Sequence, residues 1–126
     1  MTTALTQGCR IETATDGPNR IIEVTGTLNW RAAPALRAAV SAADPEGRLL
    51  IDLTDVAAID SAGTGALIAA HLRAAGRGTA LAVLTGDAVA DVVDGVGIGD
   101  AALVFSDRAA AYAWLSGERA GYPLGR

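Results

Sequence analysis

The chain has 126 residues, of which 28 are alanine and 15 glycine, and its ten positive charges are all arginines. Without lysine there is no lysine-bearing phosphate loop, Schiff-base enzyme or pyridoxal enzyme, because each needs an amine. A formal charge of −4, with arginines scattered from Arg10 to Arg126, gives no basic patch for direct contact with nucleic acid.

Apolar residues make up 51% of the chain and charged ones 19%, the balance of one folded domain. Much of the apolar share is alanine, so the core is expected to be built of small side chains packed closely. Excess alanine and glycine, with arginine in place of lysine, is the composition of a GC-rich bacterial genome. Cys9 is the only cysteine, which rules out an intramolecular disulfide and deprives a zinc site of its usual ligands. Its simplest reading is a small half-buried residue; an exposed thiol there could pair between chains. The first eight residues lack the basic start and apolar run of a secretory signal. Charges and glycines interrupt every alanine-rich stretch before the 18 or so apolar residues of a membrane span, so a cytoplasmic location is expected. The expected domain is 9–116, with flexible termini at 1–8 and 117–126.

Residues 9–15 and 20–28 read as strands of a hairpin turned by Asp16-Gly17-Pro18-Asn19, with Ile22, Val24 and Leu28 on one face. Pro34 opens a helix to about Ala43, carrying Leu36 and Val40 one turn apart. Leu49-Leu50-Ile51-Asp52-Leu53 is the continuous apolar run of a central strand covered on both faces. Asp60-Ser61 caps a second helix to about Ala75, with Leu67, Ile68 and Leu72 as its stripe and Gly76-Arg77-Gly78 as its end. A strand over 79–84 follows, then a helix from Asp87 whose Val89, Val92, Val93 and Val96 form a buried face and whose Asp87, Asp91 and Asp94 face solvent. A last strand over 102–105 leads to a helix capped by Ser106-Asp107 and running to Leu115. The order β-β-α-β-α-β-α-β-α predicts an α/β chain with a mixed sheet and helices packed on it.

The functional interest lies in 51–65, where Asp60-Ser61-Ala62-Gly63-Thr64-Gly65 follows the central strand. Two glycines in a first helical turn each cost up to about 1 kcal/mol against alanine, so a close backbone approach or a bare helix start is expected. Free N–H groups and the helix dipole also favour an anion beside Ser61 and Thr64.

These residues resemble the STAS family, the bacterial anti-sigma factor antagonists and their relatives, over about 11–115. The likeness is carried by Val24-Thr25-Gly26-Thr27-Leu28-Asn29 at the early strand end and by Leu50-Ile51-Asp52-Leu53 followed by Asp60-Ser61-Ala62-Gly63-Thr64-Gly65. A third segment, Val93-Asp94-Gly95-Val96-Gly97-Ile98, resembles the family's later apolar-glycine helix end. The resemblance implies an α+β mixed sheet of about five strands with about four helices mainly on one face. It also implies an anti-sigma factor antagonist that binds an anti-sigma factor of the serine-kinase type and so controls sigma-dependent transcription and stress responses. In that branch, phosphorylation of the loop breaks the complex through added negative charge.

Two positions depart from the family pattern. Ala62 occupies the phosphoacceptor position and has no hydroxyl, and Asn29 stands where an aspartate is usual. Ser61 and Thr64 are the only hydroxyls in the loop and hence the alternative phosphoacceptors, although capping and packing are the commoner roles for such residues. The expected partner surface is Asn29, Trp30 and Arg31 with Asp60, Ser61, Ala62, Gly63, Thr64 and Gly65, joined by Thr85, Gly86 and Asp87. Lone STAS domains also resemble subunits that dock on the ATPase of bacterial lipid-import transporters, an alternative that the residues leave open.

Catalysis has little support. His71, the only histidine, lies ten positions beyond Ser61, roughly 15 Å along one helix, where a catalytic pair needs about 3 Å. Gly95-Val96-Gly97-Ile98-Gly99 follows a helix instead of a strand and lacks nucleotide-loop spacing. Asp52, Asp55 and Asp60 are scattered by strand alternation and do not form a magnesium cluster. Tyr112, Trp114 and Leu115 read as packing. No cofactor or metal is expected.

Overall fold

A computed structural model of the chain describes residues 2–6, 8–95 and 104–117. The strands are β1 (Thr2–Thr6), β2 (Cys9–Asp16), β3 (Asn19–Leu28), β4 (Arg48–Ile59), β5 (Ala80–Thr85) and β6 (Val104–Phe105). The helices are α1 (Ala33–Ser41), α2 (Ser61–Arg77), α3 (Ala90–Gly95) and α4 (Arg108–Leu115). All six strands join one sheet in chain order. β1 to β3 form an antiparallel meander, while β3 to β6 are parallel.

The meander follows from the turn chemistry. Gly17 adopts φ 59° and Pro18 follows it, and Asp16 lies opposite Asn19. Parallel neighbours cannot be joined by a hairpin, so helices make the crossovers from β3 onwards. The five expected strands are all present, and β1 is added at the edge. Residues 1–8, expected as a flexible terminus, therefore include a strand: Thr2 lies opposite Thr13 and Thr6 opposite Cys9. Its short, threonine-rich stretch lacks the alternation of apolar and polar residues by which a strand is read from sequence.

β4 sits between β3 and β5, and its stretch from Leu49 to Leu53 is buried on both faces, as the apolar run predicts. Leu49, Ile51 and Leu53 point into the larger core, shared with α1, α2 and α3. Leu50 points into a second core with Ile21, Ala82, Leu84, Phe105, Ala111, Trp114 and Leu115. Three helices thus cover one face and α4 covers part of the other, with Trp114 against Phe105 at 6.4 Å between ring centroids. Ala33, Ala66, Ala70 and Ala74 are buried where α1 and α2 meet the sheet, the close small-residue packing that the composition implied.

Two helical stripes differ from expectation. On α2 only Leu67 of the expected trio is buried; Ile68 is 37% and Leu72 64% exposed, and the buried positions are Gly63, Ala66, Leu67, Ala70 and Ala74. Alanines, which a hydropathy stripe undervalues, allow the close approach, and Ile68 and Leu72 are left outside. α3 begins at Ala90, with 87–89 in a turn, so that Val89 and Val93 are buried and Val92 is exposed. Asp87 and Asp91 are exposed as expected. Val96, the 95–99 glycine run beyond Gly95 and the tail from 118 lie outside the described residues.

Cys9 is buried, and desolvation pushes its thiol up, so it is held as the unreactive thiol. Among the described residues, Asp52 is one of the few buried polar side chains. Burial alone would push its carboxyl up. The Thr54 hydroxyl at 2.7 Å, the Thr54 N–H at 3.0 Å and the Arg108 guanidinium outweigh that effect and hold it below the usual range. The pair fastens the start of α4 to the middle of the sheet.

A carboxylate with a folded pKa below its unfolded value of about 3.9 stabilises the fold above that value, and the contribution is lost as pH falls through the folded one. Asp52→Asn should therefore lower stability at pH 7 by roughly 1–3 kcal/mol. In urea unfolding across a pH series the deficit should shrink below about pH 4. A deficit independent of pH would remove the charge from this account.

Candidate functional site

β3 and β4 run further than the rest of the sheet. β5 ends with Thr85 opposite Leu53, whereas β3 and β4 continue to the pair Leu28 and Ile59, with register irregularities near Thr25 and Thr27. The two strand ends emerge side by side, and the chain leaves each of them for a helix. The first passes through 29–32 into α1; the second passes through Asp60 into α2.

Asp60 ties these exits together. It is the N-cap of α2, with extended backbone at φ −94° and ψ −177°, and its Oδ1 accepts from Gly63 N–H at 2.8 Å. Its Oδ2 accepts from Trp30 N–H at 3.0 Å, across thirty positions of sequence. Its own N–H donates to the Leu28 carbonyl at 3.2 Å, and its carbonyl accepts from Thr64 N–H at 2.9 Å. One residue thereby satisfies backbone donors on both exits, the acceptor role that suits aspartate to an N-cap.

Ser61, expected to share the cap, is instead the exposed first residue of α2, and its hydroxyl makes no hydrogen bond among the described residues. The cap needs an extended residue before the helix, and Asp60 fills that place alone. Ala62 is half-buried and packs against the larger core, while Thr64 and Gly65 are partly exposed. Asn29 is also occupied structurally: its Oδ1 accepts from Arg31 N–H at 3.1 Å and from Ala32 N–H at 3.2 Å. An amide oxygen performs this turn-closing role as an aspartate would. Trp30 is 63% exposed, with the Arg31 guanidinium 4.7 Å from its ring centroid.

The structure thus brings Asn29, Trp30 and Arg31 together with Asp60 to Gly65. It does not bring Thr85, Gly86 and Asp87 into that set. Thr85 is buried, with its hydroxyl on the Phe105 carbonyl, and Gly86 lies against the Thr54 backbone, well before the β4 end. His71 is partly exposed on the same helix as Ser61, ten positions on. Among the described residues, no group of three or more His, Cys, Asp or Glu side chains is placed to hold a metal. Asp52 is engaged by Thr54 and Arg108, and Asp55 is exposed. Arg37 was not foreseen; its guanidinium lies over Gly65, 3.8 Å from where a Cβ would stand. It comes from α1, and no local pattern announces that approach.

The two glycines have different reasons. A Cβ at Gly63 would lie 2.2 Å from the Leu28 carbonyl oxygen, so the helix start can approach the β3 end only if this position is bare. At Gly65 a Cβ would meet only ordinary van der Waals contact with Arg37. Gly63→Ala should therefore cost more than about 2 kcal/mol by prising the helix from the strand. Gly65→Ala should be neutral or stabilising by up to about 1 kcal/mol. Thermal unfolding of the two variants checks this, and equal losses would contradict it.

The described part of the chain contains no helix long and apolar enough to cross a membrane. No curated protein matches the sequence significantly. Among solved structures, an anti-sigma factor antagonist from Mycobacterium paratuberculosis matches with a TM-score of 0.77 at 21% identity, over 90% of this chain and 98% of that one. A sulfate transporter family protein from Wolinella succinogenes matches with a TM-score of 0.70 at 20% identity, over 82% of this chain and 88% of the other. Unphosphorylated SpoIIAA, an anti-sigma factor antagonist and Bacillus cell fate determinant, matches with a TM-score of 0.66 at 16% identity, over 85% and 96%. These likenesses establish a shared fold. The family model described as "Mlab, STAS domain" matches residues 11–104, and with that span of sheet and helices accounted for, the chain belongs to the STAS domain family.

Proposed function

We propose that this chain is a non-catalytic binding module of the anti-sigma factor antagonist kind. Its partner in this reading is an anti-sigma factor of the serine-kinase type, and its effect is on sigma-dependent transcription. The observation that carries the reading is the corner held by Asp60. An exposed aromatic residue, with an arginine stacked on it, and the exposed start of α2 are held together by hydrogen bonds from the Trp30 and Gly63 N–H groups to a single carboxylate. A rigid, partly apolar patch with a large aromatic at its edge is the kind of surface on which protein partners find an anchor. Ser61 and His71 lie too far apart along α2 to act as a catalytic pair, which favours binding over catalysis.

The proposal includes an absence of the usual switch. Ala62 offers no hydroxyl to a kinase, and its methyl group is half-buried against the core. Phosphorylation at this position would place close to two negative charges on the patch, a change that alanine forbids. The module would then compete for its partner continuously, with abundance in place of phosphorylation setting its effect. The second reading is an accessory subunit of a lipid-import transporter, and the family model that matches residues 11–104 is described as "Mlab, STAS domain". There, the same corner would dock on a transporter ATPase.

The test is to mix the purified chain with candidate anti-sigma kinases, and separately with transporter ATPases, and to measure affinity and bound phosphate in the presence of ATP. A complex with a kinase and no phosphate on the chain is expected. Stoichiometric phosphate on Ser61 or Thr64 would overturn the unswitched reading, and a complex with the ATPase alone would select the transporter. Ser61→Asp should weaken the complex by about tenfold, through charge at the interface. An acid in the first turn of a helix favours the helix itself, so a loss of affinity would not reflect a damaged fold. Unchanged affinity would remove the loop from the interface.

A further inference from the structure

Charge is distributed unevenly over the helical face. α1 and α2 together contain no aspartate or glutamate, although the chain as a whole has fourteen acidic residues and a formal charge of −4. They carry Arg37, Arg73 and Arg77, with Arg31 just ahead of α1. Arg77 donates to the Ser41 carbonyl at the end of α1, and Arg31 lies over Trp30. Neither Arg37 nor Arg73 has an ion-pair partner among the described residues.

Those two arginines flank a groove of about 290 Å³ between the helices, floored by Val40, Ala69 and Ala70 and edged by Ser41. At 100° per residue, Ser61, Gly65, Ile68 and Leu72 form the outward stripe of α2 next to that groove. Ile68 and Leu72 are the exposed large apolar residues on it. The groove is continuous with the Asp60 corner, because Arg37 lies over Gly65 in the second turn of the same helix. An apolar ridge, a groove between helices and two unpaired guanidinium groups thus lie side by side on one face.

We infer that the groove between α1 and α2 receives an acidic amphipathic helix of a partner protein. Its carboxylates meet Arg37 and Arg73, and its apolar residues cover Leu72 and Ile68. Guanidinium groups suit carboxylates through paired N–H donors, and the missing acids of α1 and α2 remove the repulsion that such a segment would meet elsewhere on this chain. Apolar anchors at helical spacing laid into a groove are a general mode of helix recognition. The inference extends the binding-module reading and names the chemistry of what is bound, without depending on the partner's being a kinase.

The test uses random fifteen-residue peptides displayed on phage, selected against the full chain with no kinase or ATPase present. Selected peptides should be rich in aspartate and glutamate, with apolar residues three or four positions apart. As synthetic peptides they should bind about tenfold more weakly to R37E/R73E and to L72S, and more weakly as salt rises. Arg37→Gln with Arg73→Gln keeps size and polarity and serves if charge reversal disturbs folding. No selection, peptides without acidic bias, or affinity unaffected by these substitutions would overturn the inference. So would self-association of the chain abolished by R37E, which would give the groove to a second copy. A failed kinase complex alongside acidic peptides selected here would count against the kinase while leaving the groove standing.

Discussion

The carboxylate of Asp60 is the constraint on which this end of the molecule depends. It must accept one hydrogen bond from the start of α2 and another from the turn before α1, and it can do both only because β3 and β4 end together. The close approach requires glycine at position 63, where the helix backbone lies against the Leu28 carbonyl. Removing either oxygen would leave a backbone N–H to find water or another acceptor, at a cost of about 1 kcal/mol or more. The corner's geometry is therefore a property of the strand register, transmitted to the surface through one side chain.

Much of this was legible in the chain itself, for identifiable reasons. The hairpin was marked by Asp16-Gly17-Pro18-Asn19, and the central strand by the unbroken run from Leu49 to Leu53, because turn chemistry and double burial leave strong local patterns. The cap and the two glycines marked the start of α2. What the pattern could not show was which glycine was required. That depends on Leu28, which meets Gly63 only through the sheet. β1 was missed because the stretch Thr2-Thr3-Ala4-Leu5-Thr6 has no alternation of apolar and polar residues to betray it, and the outward Ile68 and Leu72 were misplaced because alanines occupy the contact positions of α2.

The alanine content also changes how the surface is read. Small residues bring α1 and α2 close to the sheet, and Ile68 and Leu72 of α2 are left on the outside. An exposed ridge is thus a consequence of how the core is packed. The arginines beside it stand in a pair of helices without acids, so the face differs in charge from the remainder of an acidic chain. Core packing, charge and the Asp60 corner converge on one side of the domain, which is the physical basis for the proposed binding surface.

The central claim is that this surface binds without a phosphorylation switch because residue 62 is alanine. Restoring the hydroxyl tests it most directly: the wild-type chain and Ala62→Ser are each bound to the same anti-sigma kinase, ATP is added, and dissociation is followed in real time together with incorporated phosphate. The account predicts that the wild-type complex persists unmodified while the variant takes up phosphate and is released. Release of both complexes, or persistence of the variant after phosphorylation, would contradict it.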